Sequence, residues 1–370
     1  GITRFIFHSY VHQPWDVAPG LALSYHGFDF NRLNTWWTQS KAYMDYLARS
    51  QYLLQQGKNV ADVLVFTGES SPNIGFIKPK IKEMGFDYDL IGANKLKDLT
   101  VKDGTIYSSV GNGYKLLVLP ESNFVKLETL QKVKELLDGG AKVIGKKLLQ
   151  SPSLNNYPNC DDEVRTYVDK LWGNGLVKEI SLEEVLSDIN PDFKIESSDA
   201  TDVSFIHRKT ANADIYFIAN ARKEARKITA RFRVSGKQPE LWNSEKVTVK
   251  DLVVFKENKD GTTTVPFQLG MEESVFVIFK KPVNPNHLLK VSTELEPFQK
   301  EPLSNLEIVK AEYGTFLQEG LVNITDKVAN AVKGNKLDFK MSRAFCDCDP
   351  AMGYKKEFRM EYQIGNTKEQ

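Results

Sequence analysis

The first 40 residues carry the side chains that best fit chemistry on a sugar. This stretch holds three of the five histidines and three of the five tryptophans of the chain. Sugar rings present apolar C–H faces and many hydroxyls, so a glycan site combines aromatic platforms with His, Asn, Gln and Arg groups. We predict that the following side chains contact a bound substrate: His8, His12, Gln13, Trp15, His26, Asn31, Arg32, Asn34 and Trp36.

A structural role is the alternative for part of this set. The tryptophans would then belong to a helix core, and one or two histidines would only satisfy backbone groups. We assign Trp37 to the core and His12 to function.

Other catalytic classes find little support in the sequence. His8 and His12 have the i, i+4 spacing of a zinc-binding helix, but no Glu lies between them. Their segment is typical of a strand and a loop, where such positions do not converge on one face. Neither a G-x-S-x-G elbow nor a Walker loop occurs, and the nearest glycine motif is the turn Gly111-Asn112-Gly113. Serine hydrolases and nucleotide-binding enzymes are therefore not indicated.

Two glutamates occupy positions where a parallel sheet binds ligands. Glu69 and Glu121 follow the ends of apolar strands, in FTGES and LPES, and open parallel sheets place ligands at that edge. Neither has a partner that spacing identifies, so we favour a structural role at helix starts.

The cysteines indicate neither a metal site nor a disulfide framework. Cys346 and Cys348 are separated by one residue, against two to four in zinc ribbons, and the chain has only three cysteines. Asp347 and Asp349 predict a turn, because the pattern of a calcium loop is incomplete.

The elements that position the aromatic stretch read as one βα unit. Ile2–Phe7 predicts a buried strand, a loop with Pro19 and Gly20 follows, and apolar spacing up to Gln56 predicts a helix. Gly57 is expected to end that helix as its C-cap.

The texture of the chain changes twice after this unit. Continuous apolar runs at Ala61–Thr67 and Tyr114–Pro120 predict central parallel strands, and a helix is expected at Leu127–Leu137. After Pro191, short alternating strands predict an all-β sandwich. The predicted domains are residues 1–57, 58–195 (a parallel α/β domain), 196–285 (the β-sandwich) and 286–370 (an incomplete β-rich domain).

Composition limits the partners. A chain of 370 residues exceeds one ordinary core, so several domains are expected. With 49 Lys+Arg against 48 Asp+Glu, nucleic acid is an unexpected partner. No apolar stretch approaches the roughly 18 residues of a membrane span. The chain starts at Gly1 without a signal peptide, so we expect the N-terminus of the protein elsewhere.

Two long segments, GITRFIFHSYVHQPW and FNRLNTWWTQSKAYMDYLARSQYLLQQGKNVADVLVFTGE, resemble glycoside hydrolase family 106, the α-L-rhamnosidases, and specifically bacterial members that degrade plant polysaccharides. The likeness is close over residues 1–69. It continues more loosely through YKLLVLPES, RFRVSGKQPELWN and SVFVIF, and it fades after about residue 286.

The resemblance implies an architecture and a chemistry. It implies the end of a catalytic (β/α)8 barrel, a flavodoxin-like α/β domain and β-sandwich domains, in a C-terminal portion that begins inside the barrel. It also implies an inverting reaction by two carboxylates, with the catalytic Glu pair upstream of Gly1, so this chain alone is expected to be inactive. Calcium dependence is implied as well, but its ligands are not identifiable in this chain.

The resemblance further implies that His8, the H-Q-P-W loop and the N-x-x-N-T-W-W segment contact a rhamnose-containing glycan, in a periplasmic or extracellular enzyme. Relatives often carry His where this sequence has Asp29, which leaves the sugar preference open. Two alternatives stay open: a carbohydrate-binding or scaffold protein without hydrolysis, and a β-galactosidase-like hydrolase. The latter would retain configuration, with carboxylates only about 5 Å apart.

Overall fold

The computed structural model describes residues 4–8, 10–18, 20–21, 30–70, 79–197, 202–291, 305–315, 320–334, 336–350, 352, 356–365 and 367–369. The chain forms two compact units, Gly1–Val291 and Ser292–Gln370. Each unit has its own hydrophobic core and is described by itself.

The first segment has little regular structure before its helix. Arg4–Phe7 form no strand, so the strand predicted at Ile2–Phe7 is wrong over these residues, and Ile2 and Thr3 lie outside the described part. A parallel bridge joins Tyr10 to Phe30. A buried parallel strand needs neighbours on both sides, and among the described residues this segment has that one bridge. Ile6 is accordingly 98% exposed.

The predicted helix is present and slightly shorter than expected. A 3-10 turn, Trp37–Gln39, leads into α1, Ser40–Leu54. Gly57 follows with φ +56°, and a Cβ there would overlap the carbonyl oxygen of Lys209. Because only glycine combines this backbone angle with so close an approach, no residue with a side chain would fit at position 57. The C-cap of α1 is Gln55, so the prediction that Gly57 is the C-cap is wrong.

The next part of the chain alternates strands and helices. Its elements are β1 (Lys58–Asn59), β2 (Val63–Phe66), α2 (Pro79–Glu83), β3 (Tyr88–Ile91), α3 (Ala93–Leu96), β4 (Thr100–Lys102), β5 (Thr105–Tyr107), β6 (Gly113–Tyr114), β7 (Leu116–Val118), α4 (Leu127–Asp138), β8 (Val143–Ile144), α5 (Cys160–Gly173) and α6 (Leu182–Leu186).

Four of these strands form a parallel sheet in the order β3-β2-β7-β8, with helices on both faces. Along β2, Leu64 and Phe66 pack with α4 and α5, whereas Val63 and Val65 pack with α2 and α6. A strand buried on both faces must be apolar at every position, which explains the continuous run VLVF. The strands β4, β5 and β6 form a separate antiparallel sheet.

Antiparallel strands make up the rest of the first unit. They are β9 (Phe193–Ile195), β10 (Val203–Lys209), β11 (Asp214–Asn220), β12 (Arg226–Phe232), β13 (Lys237–Asn243), β14 (Thr248–Asp251), β15 (Lys256–Glu257), β16 (Thr263–Leu269) and β17 (Ser274–Pro282).

These strands form two sheets, in the orders β1-β10-β11-β17-β13-β14 and β15-β16-β12-β9. Phe205, Tyr216 and Val277 from the first sheet share a core with Phe232 and Val265 from the second. The change from a parallel sheet with helices to antiparallel sheets is therefore observed as predicted.

Helix α1 covers the outer face of the six-stranded sheet. Leu54 packs against Phe276 and Ile278 in a small separate core. The Arg49 side chain donates a hydrogen bond to the carbonyl oxygen of Ser244 at 2.6 Å. Strand β1 then joins the same sheet by pairing with β10. Residues 40–59 are thus fastened to strands that lie far downstream in the sequence, which the sequence reading does not anticipate.

The second unit is small and β-rich. It contains β18 (Leu306–Gly314), β19 (Leu321–Asn323), α7 (Thr325–Asn330), β20 (Val332–Lys333), β21 (Lys336–Leu337), α8 (Arg343–Cys346), β22 (Glu357–Ile364) and β23 (Thr367–Glu369). Ile308 and Ala311 of β18 pack against Val328 of α7.

The short CDC sequence of the second unit adopts a turn, as predicted. Asp347 has φ +57°, and Cys346 and Cys348 form a disulfide with a Cα–Cα distance of 5.1 Å. No helix in the described part of the chain is long and apolar enough to cross a membrane.

Candidate functional site

Gln13 shapes the loop that carries the predicted sugar contacts. Its side-chain amide donates to the carbonyl oxygens of Val11 at 3.2 Å and Leu21 at 2.9 Å. Its Oε1 accepts from the Leu21 backbone N–H at 2.7 Å. Both amide hydrogens of Gln13 are engaged and its side chain is buried. Gln13 therefore joins the two ends of the loop 13–21, and we call its hydrogen bonds to Leu21 the Gln13 clasp.

Gly20 makes this closure possible. It has φ +88°, and a Cβ at this position would overlap Oε1 of Gln13 and lie 3.0 Å from Oδ1 of Asn31. The backbone of Gly20 therefore approaches two buried amide side chains more closely than any residue with a side chain allows.

Arg32 is held beside the loop by two contacts. Its guanidinium ion-pairs with Asp16 at 2.5 Å and donates to the carbonyl oxygen of Gln13 at 3.4 Å. The Arg32 side chain remains 44% exposed. Asp16 was absent from the predicted set, and no local signal in the sequence pairs it with a residue 16 positions away.

Asn31 and Asn34 organise the turn before α1. Oδ1 of Asn31 accepts the Leu33 backbone N–H at 2.8 Å, and Oδ1 of Asn34 accepts that of Trp36 at 3.4 Å. Such side-chain-to-backbone bonds start turns and helices. Trp36 packs edge-on against Phe30, with ring centroids 5.3 Å apart.

Trp15 is the aromatic group that this loop presents outward. It is 62% exposed and lines a cavity of about 340 Å³ together with Gln13, Val17, Ala18, Gly20 and Leu21. An indole face beside a shallow cavity can stack on a sugar ring, and the indole N–H can donate to a sugar hydroxyl. The cavity also involves Val17, Ala18 and Leu21, which were not predicted because small apolar loop residues carry no chemical signature.

Among the predicted histidines, the structure describes His8 and His12. His8 and His12 are both exposed, and His26 and Asp29 lie outside the described residues. Within the described part of the chain, no group of three or more His, Cys, Asp and Glu side chains is placed to hold a metal ion.

A second polar cluster lies buried among the antiparallel strands. His207 contacts the Asp192 carboxylate through Nδ1 at 3.0 Å and Asp214 through Nε2 at 3.3 Å. Asp214 also pairs with Lys237 at 2.7 Å, and Arg233 bridges Asp192 at 3.5 Å to Asp62 at 2.8 Å. We name these residues the His207 cluster.

The charges of the cluster reinforce one another. Burial opposes protonation of His207, but the negative charge of Asp192 and the hydrogen bonds to both carboxylates raise its pKa. Burial likewise opposes ionisation of Asp214, but hydrogen bonds from His207 and Lys237 hold its pKa well below the usual range. Each charged group of the His207 cluster forms an ion pair with another member of the cluster. We therefore assign the cluster a structural role.

Glu69 also has a structural contact. Its Oε1 accepts hydrogen bonds from the Lys126 backbone N–H at 3.1 Å and the Thr129 hydroxyl at 2.6 Å. Both partners lie at the start of α4. The carboxylate of Glu69 therefore lies at the N-terminus of α4, where a negative charge is stabilising. This agrees with the structural role that we favour for Glu69 from the sequence.

Comparison with known proteins identifies the class of this chain. Residues 1–256 match the glycoside hydrolase family 106, described as alpha-L-rhamnosidase. This match covers well over half of the chain, so the protein belongs to the α-L-rhamnosidase family of glycoside hydrolases. The resemblance seen in residues 1–69 is thereby confirmed.

Individual relatives show how much of such a protein the chain represents. A protein of Formosa agariphila with the name "Putative beta-glucuronidase" is 66% identical over 368 residues, which are 99% of this chain and 32% of the relative. The structure of a rhamnosidase from Novosphingobium sp. PP1Y superposes with a TM-score of 0.70 at 30% identity, over 88% of this chain and 32% of that one. The chain thus spans about a third of each relative.

A family 42 β-galactosidase from G. stearothermophilus superposes with a TM-score of 0.41 at 13% identity, over 71% of this chain and 47% of that one. This likeness is too weak to support the β-galactosidase-like alternative.

Proposed function

We propose that this chain is the C-terminal portion of an enzyme that releases terminal α-L-rhamnose from rhamnose-containing plant glycans. The observation that carries this proposal is the similarity to the Novosphingobium rhamnosidase, at a TM-score of 0.70 and 30% identity. The family match over residues 1–256 includes the whole loop around Trp15, so that loop belongs to the part shared with the family.

The proposed chemistry is inverting hydrolysis by two carboxylates. One would protonate the leaving oxygen and the other would activate water, at a separation of roughly 6.5–9.5 Å. We place this pair upstream of Gly1. Within the described chain, Trp15 would stack on the sugar and Arg32 would donate to its hydroxyls, while Gln13 and Gly20 hold the loop in shape.

We further propose that residues 1–57 complete one side of a catalytic (β/α)8 barrel and that the two antiparallel sheets form a β-sandwich. The exposure of apolar side chains supports the first statement, because Phe5 is 40%, Ile6 98% and Phe7 39% exposed. Contiguous exposed apolar groups usually mark a surface that another part of a protein covers. A glycan substrate outside the cell would place the enzyme in the periplasm or beyond.

Calcium dependence remains part of the proposal as a property of the complete enzyme. The described residues hold no metal-binding group, so any calcium ligands would come from elsewhere in the protein.

A β-D-glucuronide is a second candidate substrate. The relative from Formosa agariphila, at 66% identity, carries the name of a β-glucuronidase. A β-D-glucuronide would demand a cation for its carboxylate, and Arg32, which is 44% exposed, is a candidate for that role. The rhamnoside is favoured because the family match and the solved structure both point to it.

The test compares substrates on the complete protein and on the 370-residue chain. We expect the complete protein to cleave p-nitrophenyl α-L-rhamnoside, to lose activity with a calcium chelator and to leave p-nitrophenyl β-D-glucuronide intact. The 370-residue chain should cleave neither substrate. Cleavage of the glucuronide alone would replace the rhamnosidase proposal, and inactivity of the folded complete protein would favour a carbohydrate-binding or scaffold role.

The contribution of the loop is tested by Trp15→Ala in the complete protein. Loss of a sugar-stacking platform worth about 1.4 kcal/mol should raise KM about tenfold. The matched control is Tyr52→Ala, since Tyr52 is 67% exposed on α1 and should leave KM unchanged.

A further inference from the structure

The second unit carries an open cavity of about 640 Å³ that the proposed hydrolysis does not use. Helix α7, the β20–β21 hairpin and α8 all contribute to its wall. The lining consists of Lys327, Asn330, Ala331, Lys333, Lys336, Asp338, Phe339 and Phe345. Three lysines therefore face one aspartate, and two phenylalanines lie in the same wall.

Two of the lysines are placed directly opposite each other. Lys333 and Lys336 are cross-strand partners in the β20–β21 hairpin, and both side chains are exposed. Like charges in this position destabilise a hairpin. In the described part of the chain, no acidic side chain lies within ion-pairing distance of either lysine. With three lysines and Asp338 in its lining, the cavity has an excess of positive charge.

The third lysine is fixed in place by a separate contact. Nζ of Lys327 donates to the carbonyl oxygen of Cys346 at 2.5 Å, and Cys346 is tied to Cys348 by the disulfide. This contact holds the α7 wall against the α8 wall. The cavity thus combines one anchored cation with two that are available to a ligand.

The phenylalanines form a rigid apolar platform. The rings of Phe339 and Phe345 stack with centroids 4.6 Å apart, and Phe358 supports Phe339 edge-on at 5.5 Å. Phe339 and Phe345 are each only partly buried, so ring surface remains accessible in the cavity. An aromatic face of this kind accepts the C–H face of a sugar ring.

We propose that this cavity binds a uronic acid residue of an acidic polysaccharide. Lys333 and Lys336 would pair with the carboxylate, while the Phe339–Phe345 platform would accept the ring. A free phosphate would pair with the lysines but would leave the phenylalanine platform unused. A nucleic acid is the alternative that the oligonucleotide in the experiment below tests. The saccharide class rests on family membership, whereas the site itself is independent of the Trp15 loop and of the hydrolysis proposed there.

Such a site would raise the local concentration of substrate. A polysaccharide held by its uronic acids presents its other linkages at the high effective concentration that tethering provides. This role requires binding without cleavage, so it is measurable on the 370-residue chain alone.

The test is isothermal titration of the 370-residue chain with tetragalacturonate and with the neutral tetramer of β-1,4-linked galactose. We expect binding of the acidic tetramer only. The double variant Lys333→Glu, Lys336→Glu should weaken it at least tenfold, and Phe345→Leu, which keeps apolar volume but removes the ring, should weaken it about threefold. Circular dichroism of each variant verifies that the second unit remains folded.

The matched control has the same change of charge elsewhere. Lys227 and Lys250 are exposed in the first unit, and Lys227→Glu with Lys250→Glu should leave the affinity unaltered. Equal weakening by this control, equally tight binding of a polyacrylate or an oligonucleotide of the same charge, or binding of neither sugar would overturn the proposal. None of these results depends on whether the complete protein cleaves rhamnosides.

Discussion

Single residues in the loop have separate tasks that their types alone do not reveal. The sequence predicts which side chains are suited to a sugar, but Gln13 and Asn31 form hydrogen bonds with the loop backbone. Trp15 stays exposed. The difference depends on the path of the chain, because Gln13 meets Leu21 eight residues away. Local sequence patterns carry no information about such a contact. The sequence therefore predicts which side chains suit a sugar site, but not which of them hold the loop backbone instead.

At this scale we predict the effect of Gly20→Ala. A methyl group would overlap Oε1 of Gln13 and should break the bond that protects the Leu21 amide, so hydrogen exchange at Leu21 should accelerate about tenfold or more. Gly175→Ala is the control, because Gly175 also has a positive φ, +67°, but has no atom within 4 Å of the added Cβ. Unchanged protection at Leu21 in Gly20→Ala would show that the Gln13 clasp does not depend on the close approach of Gly20.

At the scale of elements, apolar runs predicted most of the first unit. The runs at Val63–Phe66 and Leu116–Val118 became central parallel strands, because a strand covered on both faces must be apolar throughout. The docking of α1 on the six-stranded sheet was not predictable in this way. It joins Leu54 to Phe276 across more than 200 residues, and an amphipathic helix does not specify its partner.

The His207 cluster is another product of long-range packing. It joins groups from the antiparallel strands to Asp62 before β2. Its residues are scattered in the sequence among many surface charges, so no spacing indicated that they meet. Removal of one partner leaves the remaining charges buried without full compensation, which costs about 3–5 kcal/mol.

We therefore predict that His207→Gln destabilises the first unit in a pH-dependent manner. The raised pKa of His207 means that its contribution is complete below the unfolded value of about 6.5 and declines as pH rises through the folded pKa. The depressed pKa of Asp214 means that its contribution is present above about 3.9 and declines as pH falls through the folded pKa. The loss in free energy of unfolding should be about 3 kcal/mol at pH 5 and smaller at pH 9.

Urea unfolding at both pH values measures this difference. His287→Gln serves as the control, since His287 stacks on Phe255 and its Nδ1 contacts a backbone carbonyl oxygen, that of Asn284. A loss for His207→Gln that is larger at pH 9 than at pH 5 would show that the cluster does not hold a protonated imidazole.

At the scale of the whole molecule, length predicted several cores, and the structure contains two compact units. The change from parallel to antiparallel sheets was also predicted, because strands buried on both faces differ in pattern from strands buried on one. The assignment of residues 1–57 and 58–195 to separate domains stays a prediction. In the structure, α1 and β1 contact the antiparallel sheet before the chain enters the parallel one.

Two compact units predict two calorimetric transitions. Each unit buries its own apolar cluster, so the 370-residue chain should unfold in two separable steps. Leu54→Ala removes a side chain that is only 5% exposed and should lower the Tm of the first unit alone, at a cost of about 3 kcal/mol. Tyr52→Ala, on the exposed face of the same helix, should move neither transition, and a shift of both transitions by Leu54→Ala would mean that the units unfold together.

The position of α1 has a practical consequence for anyone who divides this protein for expression. A piece that starts just after Asn59 would expose the apolar face formed by Ile215, Phe276 and Ile278 and would leave the edge of β10 without β1. Both are sites at which strands of separate molecules associate. The natural place to divide the chain is therefore before α1, and a shorter piece should be recovered mainly as aggregate.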